Sequence, residues 1–443
     1  MKPFHDMPDI YPQPVALLQR LIRFDTTNPP GNESECISFI KDLLSEAGIE
    51  TRVFAKSPER PNLIARLPGR GNAPPILLYG HVDVVTTENQ AWSHPPFEGK
   101  IVDGFLWGRG ALDMKSGVAM MLTAFLRAKV EKLALPADVI LAILSDEEAG
   151  GDFGAKFLVE EHADLFEGVR YAIGEFGAFT LCIGKKRFYP IQVAEKGICW
   201  MRATFHGPGG HGSLPVRDGT MAKLAGFLQG LNRHRFPVHV TPVARLMFSK
   251  IAAELGGMNG LVIGQLLNPV LTDPVLALLG ERGSLFSPLF HNTVSPTILH
   301  ASQKINVIPS EASVELDGRL LPGYQPEDLT AEIRRFAGEE VEIELVRHDS
   351  CPAEPDMGLF DQLTSILREA DPEGVPIPLL LSAVTDGRFF SRLGIQTYGF
   401  LPMQLPEDFN FSQTIHAANE RIPAEAIEFG ASAIVKALQR VKE

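Results

Sequence analysis

The sequence predicts an α/β protein, with a mostly parallel sheet forming the main domain and an α+β unit inserted into it. Three observations predict this. The apolar runs PPILLYG, ADVILAILS and YAIG suit strands buried on both faces, and helical segments alternate with them. The character changes to alternating strands near Glu195 and returns to the α/β type near Ser350. A chain of 443 residues also exceeds what one hydrophobic core usually supports. The expected division is 1–194 with 351–443 for the α/β domain, and 195–350 for the insertion.

Taken in order, Val15, Leu18, Leu21 and Ile22 recur at helical spacing, and a second helix runs from about Glu33 to Ala47, where Gly48 stops it. The runs TRVF and NLIARL read as strands, followed by PPILLYG. From Ser116 the segment reads as a helix, ADVILAILS as a buried strand, and YAIGE as a third strand end. Within the insertion, CWMRATFHG and ASVELDGRLLPG alternate as strands, and a helix leads to a strand at VEIELV. Beyond it come a helix in LFDQLTSILREA, a strand in IQTYGFLP and a final helix opened by Pro423.

Composition narrows the function. The apolar fraction of 45% and charged fraction of 21% are those of an ordinary globular protein. A net charge of −13 opposes nucleic-acid and anionic-membrane partners and favours a small substrate. The start MKPFHDMPDIYPQP carries no basic segment followed by an apolar stretch, and no later run is long and apolar enough for a span, so a cytoplasmic protein without membrane contact is expected. Cys36, Cys182, Cys199 and Cys351 are widely spaced, which suggests buried free thiols rather than a thiolate metal site or disulfides.

In such sheets ligands bind beyond the carboxyl ends of the strands, and there the sequence places its acids and histidines. His81 follows a buried strand, with Asp83 close enough to hold its second ring nitrogen; a structural histidine is an equally good reading taken alone. Asp113 sits in the glycine-rich WGRGALDMKSG before a helix, as a cap or as a carboxylate able to bridge two cations. Asp146, Glu147 and Glu148 crowd a strand end, which suits a solvated turn or a metal site. With Glu175 and His416 the set offers two histidines and three carboxylates as ligands, enough for two zinc ions sharing Asp113.

At these residues the chain resembles the zinc metallopeptidase family of glutamate carboxypeptidase, aminoacylase, acetylornithine deacetylase, succinyl-diaminopimelate desuccinylase and carboxypeptidase S. The motifs are GHVDVV, WGRGALDMKSG, SDEEAGG, EKGICWMRATFHGPGGHGSLP, KINVIPSEASVELDGRLLPG, TDGRFF and the His416 segment. The resemblance implies that His81 and Glu175 hold one zinc, Glu148 and His416 the other, and that Asp113 bridges them; cobalt or manganese could substitute. It makes Glu147 the general base and Asp83 the partner of His81. Glutamate at position 175 is similar to the carboxypeptidases and deacylases rather than to the aminopeptidases of the family. The inserted unit resembles a lid and dimerisation domain, in which His211 stabilises the oxyanion in the partner subunit's site. Asn306, Arg319 and Arg388 match positions that bind the free carboxylate of a substrate.

The implied reaction is cleavage of an amide bond next to a free carboxylate, in a peptide or an N-acyl amino acid, by a homodimer. An aminopeptidase and a catalytically inactive binding protein are the rival readings. Two departures stand out: Ala301-Ser302-Gln303 replaces glycines common in relatives, and an extra apolar stretch spans about 236 to 295. That stretch either lines an acyl pocket or, the simpler expectation, packs on the lid or at a dimer interface.

Overall fold

The computed structural model describes residues 11–184, 186–338 and 340–442. Residues 1–10, which carry most of the reading of the chain's start, lie outside these. The chain divides into two compact units, Met1–Val193 with Asp356–Leu379 and Thr385–Glu443, and Ala194–Pro355 with Leu380–Val384.

The first unit is built on a sheet whose strands in chain order are β1 (Thr51–Ala55), β2 (Pro61–Leu67), β3 (Ile76–His81), β4 (Val139–Leu144), β5 (Tyr171–Gly174), β6 (Lys186–Glu195), β7 (Val375–Leu381) and β8 (Gln396–Gly399). Their order across the sheet is β1-β2-β4-β3-β5-β8-β6-β7, and the short strand Leu181–Ile183 pairs with β6. The centre is parallel: β3 pairs with β4 and β5, and β5 with β8. All six residues of β3 and all six of β4 are buried, which is why they read as unbroken apolar runs rather than alternating ones.

Helix Lys115–Val130 is buried almost all round and packs on Pro14–Ile22 and the final helix Ala424–Arg440. Phe389, Phe390, Leu158 and Phe166 join Leu77, Tyr79 and Ile140 in a second cluster of the core. The parallel strands end on one side, so the residues after β3, β4 and β5 share one edge of the sheet.

The second unit is a four-stranded antiparallel sheet in the order Thr293–His300, Glu311–Leu320, Gly197–His206, Glu342–Asp349. Inward residues Met201, Ala203, Phe205, Val314 and Leu316 meet Leu224, Phe227, Leu329 and Ile333 of helices Thr220–Arg233 and Pro326–Ala337. The extra apolar stretch folds as helices Pro242–Leu255, Gly257–Gly264, Thr272–Leu279 and Glu281–Phe286. Part of it packs inward, through Val243, Phe248, Ile251 and Leu266, whereas Met258, Val270 and Leu278 stay exposed. All four cysteines are free; Cys36 and Cys199 are buried as expected, but Cys182 and Cys351 are only half-buried. No helix among the described residues is long and apolar enough to cross a membrane.

Candidate metal centre

Five ligand candidates converge on the carboxyl edge of the main sheet. His81 ends β3, Glu175 follows β5, and Glu148 lies in the turn after β4. Asp113 precedes helix Lys115–Val130, and His416 follows the short helix Phe411–Thr414. Asp113 is central: its Oδ1 lies 3.1 Å from His81 Nε2 and its Oδ2 lies 3.0 Å from His416 Nε2. Glu175 Oε2 is 3.3 Å from the same nitrogen of His81, and Glu148 Oε1 is 3.3 Å from that of His416. Two groups with metal-ligand geometry result, His81–Asp113–Glu175 and Asp113–Glu148–His416, and they share Asp113.

The electrostatics fit cations. Burial opposes a charged ring at His81, but hydrogen bonds to Asp113, Asp83 and Glu175 outweigh it and hold His81 well above the ordinary histidine range. Hydrogen bonds to Asp113 and Glu148 lift His416 to about 10. Burial and then the charge of Asp113 push Glu148 up to about 7, and burial and then Glu175 push Glu147 well above the carboxylate range. Asp113 goes the other way: both histidines outweigh its burial and hold it low. Four carboxylates therefore face two imidazoles in a largely buried space, and Glu148 Oε1 is buried with the His416 ring nitrogen 3.3 Å away. That donor set of nitrogens and oxygens suits two divalent ions.

Asp83 does more than the sequence indicated. The nearest acceptor to His81 Nδ1 is the carbonyl oxygen of Asp83, at 3.0 Å, with the Asp83 carboxylate at 3.4 Å. That carboxylate also accepts the backbone N–H groups of Glu147 and Glu148, both at 3.1 Å, and the Asn28 side chain at 2.8 Å. It therefore fixes a metal ligand candidate and the proposed base from one point.

Arg388 is buried beside that base, 3.7 Å from Glu147 Oε1, and donates to the carbonyls of Thr385 and Gly150. The remaining expected residues belong to the second unit. His211 pairs with Val307 across a two-stranded ladder, and Gly212 N–H donates to the Asn306 carbonyl, so the His211 and Asn306 loops are joined. His211 Nδ1 accepts from the Ser213 N–H, which leaves the proton of a neutral ring on Nε2. Arg319 forms a fork with Asp317, at 2.7 and 3.0 Å.

Residues 77–440 match the model of peptidase family M20/M25/M40. The chain belongs to this family. It is thereby a metallopeptidase or amidohydrolase by descent, and its relatives include both kinds. It is 28% identical over 378 residues to an N-fatty-acyl-amino acid synthase/hydrolase of Homo sapiens, covering 82% of this chain and 74% of that one. It is 26% identical over 413 residues to aminoacylase-1 of Sus scrofa, covering 88% and 86%. Among solved structures, an M20 family metallo-carboxypeptidase from Sulfolobus solfataricus superposes with a TM-score of 0.69 at 15% identity, covering 96% of this chain and 98% of that one. At that identity the superposition shows the shared fold.

Sequence reasoning missed the M20 chain's buried supports for these residues. Asp146, left-handed at φ 71°, accepts from Arg60 at 2.9 Å, from Asn28 at 3.2 Å and from the Phe153 N–H at 2.9 Å. Arg60 is itself held by Glu33. Arg109 and Glu420 form a second buried pair. Arg109 and Asp146 sit within motifs already noted, but only the fold reveals what they touch. A charged residue inside a glycine-rich or apolar segment was the available signal.

Proposed function

We propose that this chain is a two-zinc hydrolase that cleaves an amide bond next to a free carboxylate, as a carboxypeptidase or an N-acyl-amino-acid deacylase. The observation that carries it is the division of Asp113: one carboxylate, with one oxygen toward each histidine and a glutamate completing each group. His81 and Glu175 would hold one ion, Glu148 and His416 the other, and Asp113 both. Bound there, zinc supplies Lewis-acid activation of the substrate carbonyl and of the attacking water. Cobalt or manganese would serve the same donor set.

The protein's own groups do the rest. Glu147 is not among the ligands, is held by its backbone N–H on Asp83, and has a raised proton affinity suited to taking a proton and returning it. It would accept the proton of the attacking water and pass it to the nitrogen of the leaving amine. His211, with its proton on Nε2, is assigned as the donor to the oxyanion, acting from a partner copy in a dimer built on the second unit. Asn306, Arg319 and Arg388 are assigned to the substrate carboxylate, a planar anion that a guanidinium fork matches. Arg388 would do so from beside Glu147, so the carboxylate and the scissile bond would be close together.

The named relatives include an acyl-amino-acid hydrolase and an aminoacylase, which favours N-acyl amino acids as the first substrates to try. The deciding experiment is hydrolysis of N-acyl amino acids and dipeptides, each with a free and an amidated carboxyl end, by zinc-loaded protein with a chelator control. Chelator-sensitive cleavage of the free-carboxylate substrates alone is expected. Equal cleavage of the amidated forms would remove the carboxylate anchors and favour an aminopeptidase.

A further inference from the structure

Beneath the metal centre, one buried ion pair ties together two loops about 300 residues apart in the chain, the separations of its bridging hydrogen bonds being 307, 308 and 311. Arg109 lies four residues before Asp113, and Glu420 lies four residues after His416. Their side chains are 1% and 0% exposed. Glu420 gives one oxygen to Arg109 Nη1, while the other accepts the backbone N–H groups of Leu112 at 2.7 Å and Asp113 at 3.2 Å. The second terminal nitrogen of Arg109 donates to the His416 carbonyl at 3.1 Å and to Gln90 Oε1 at 2.8 Å. Gln90 Nε2 donates to the same His416 carbonyl at 3.0 Å.

Stability alone does not account for this pair. Burying two charges is often no better than packing apolar groups in their place, and Arg109 Nε has no partner among the described residues. What the pair reaches is informative. His416 has φ 59°, a left-handed conformation uncommon outside glycine. Its side chain is 46% exposed, so packing does not hold the ring in place. The grip is on the backbone: two donors converge on the His416 carbonyl, Asn419 Oδ1 accepts the Ser93 N–H, and the Glu420 carbonyl accepts the Gly108 N–H.

We infer that Glu420 and Arg109, assisted by Gln90, are positioning residues that hold Asp113 and His416 at ligand distance and so preassemble the second cation site. The inference rests on the two-metal reading above. Groups that orient ligands in this way typically account for about 10- to 100-fold in metal affinity or activity. Their loss falls mainly on one ion: His81 and Glu175 are fixed by β3 and β5, so the first site feels only what is passed on through the shared Asp113.

The test uses chelator-stripped full-length protein, zinc competition against a coloured chelator, and kcat with KM on an N-acyl amino acid. Glu420→Gln should retain one tight ion, bind the second about 10- to 100-fold more weakly, and lower kcat by a similar factor with KM little changed. Gln90→Ala, a substitution near the surface, should show a smaller loss of the same kind with an unchanged circular dichroism spectrum. Equal weakening at both ions would indicate general loosening and overturn the inference, as would wild-type affinity and kcat in both variants. If Glu420→Gln fails to fold, Gln90→Ala decides alone, with wild-type affinity for the second ion counting against the inference. A wild-type chain that binds fewer than two ions would overturn the two-metal reading itself, a result visible before any variant is made.

Discussion

Glu147 and Glu148, the proposed base and a proposed ligand, are neighbours, and the Asp83 carboxylate beneath them accepts both their backbone N–H groups. With Glu147 proposed as the base and not as a ligand, Glu147→Gln should lower kcat by about 10²- to 10⁴-fold while zinc content stays at the wild-type level. Near-full activity in that variant would remove its role as base. The support below is testable in the same way. Arg60 is buried between Glu33 and Asp146, so Arg60→Ala leaves two carboxylates without their cation and should cost on the order of 3–5 kcal/mol in unfolding free energy. An unchanged denaturation midpoint would contradict it.

Lys196 is a different residue-scale case. Its ammonium is fully buried, donating to the carbonyls of Pro288 and His291 and to Thr293 Oγ1, and burial pushes it down to about 7. Between about pH 7 and the ordinary lysine value near 10.4, the unfolded chain holds the proton that the folded chain has lost. Stability from this group must therefore rise with pH across that window. Denaturation at pH 7 and pH 9 should show wild type gaining on Lys196→Met, whereas a relative loss would mean that the three acceptors hold the charged form.

At the scale of elements, the strand ends place the chemistry, and they do so with little free space. A Cβ on Gly174, the last residue of β5, would stand 2.0 Å from the Tyr79 ring on β3. Gly174→Ala should force the two strands apart next to Glu175 and His81, with a loss of about 1–3 kcal/mol and weaker metal retention. Wild-type thermal stability would show that Tyr79 yields freely. This level was the most legible in the sequence, because a strand buried on both faces must be apolar throughout and must end where polar groups begin. PPILLYG-His81 and ADVILAILS-Asp146 therefore announced both the fold and the edge that carries the ligands. What stayed hidden was contact across sequence distance: nothing local says that Glu420 meets Arg109, or that Asn28 joins Asp83 to Asp146. The apolar helices of 236–295 were legible as apolar but not in their packing, since the segment divides between an inner face and exposed Met258, Val270 and Leu278.

At the scale of the molecule, the fold gathers ligand candidates from five separate stretches of chain around one carboxylate, and sets three carboxylates against two histidines there. Such a cluster costs stability until cations enter it, so divalent metal should raise the melting temperature and chelation lower it. The most direct measurement is calorimetric titration of chelator-stripped protein with zinc, for wild type and for Asp113→Ala. Two ions per chain in wild type, and at most one weak ion once the shared carboxylate is gone, is the predicted result. A single ion in wild type, or an Asp113→Ala protein that titrates like wild type, would contradict the shared two-metal centre.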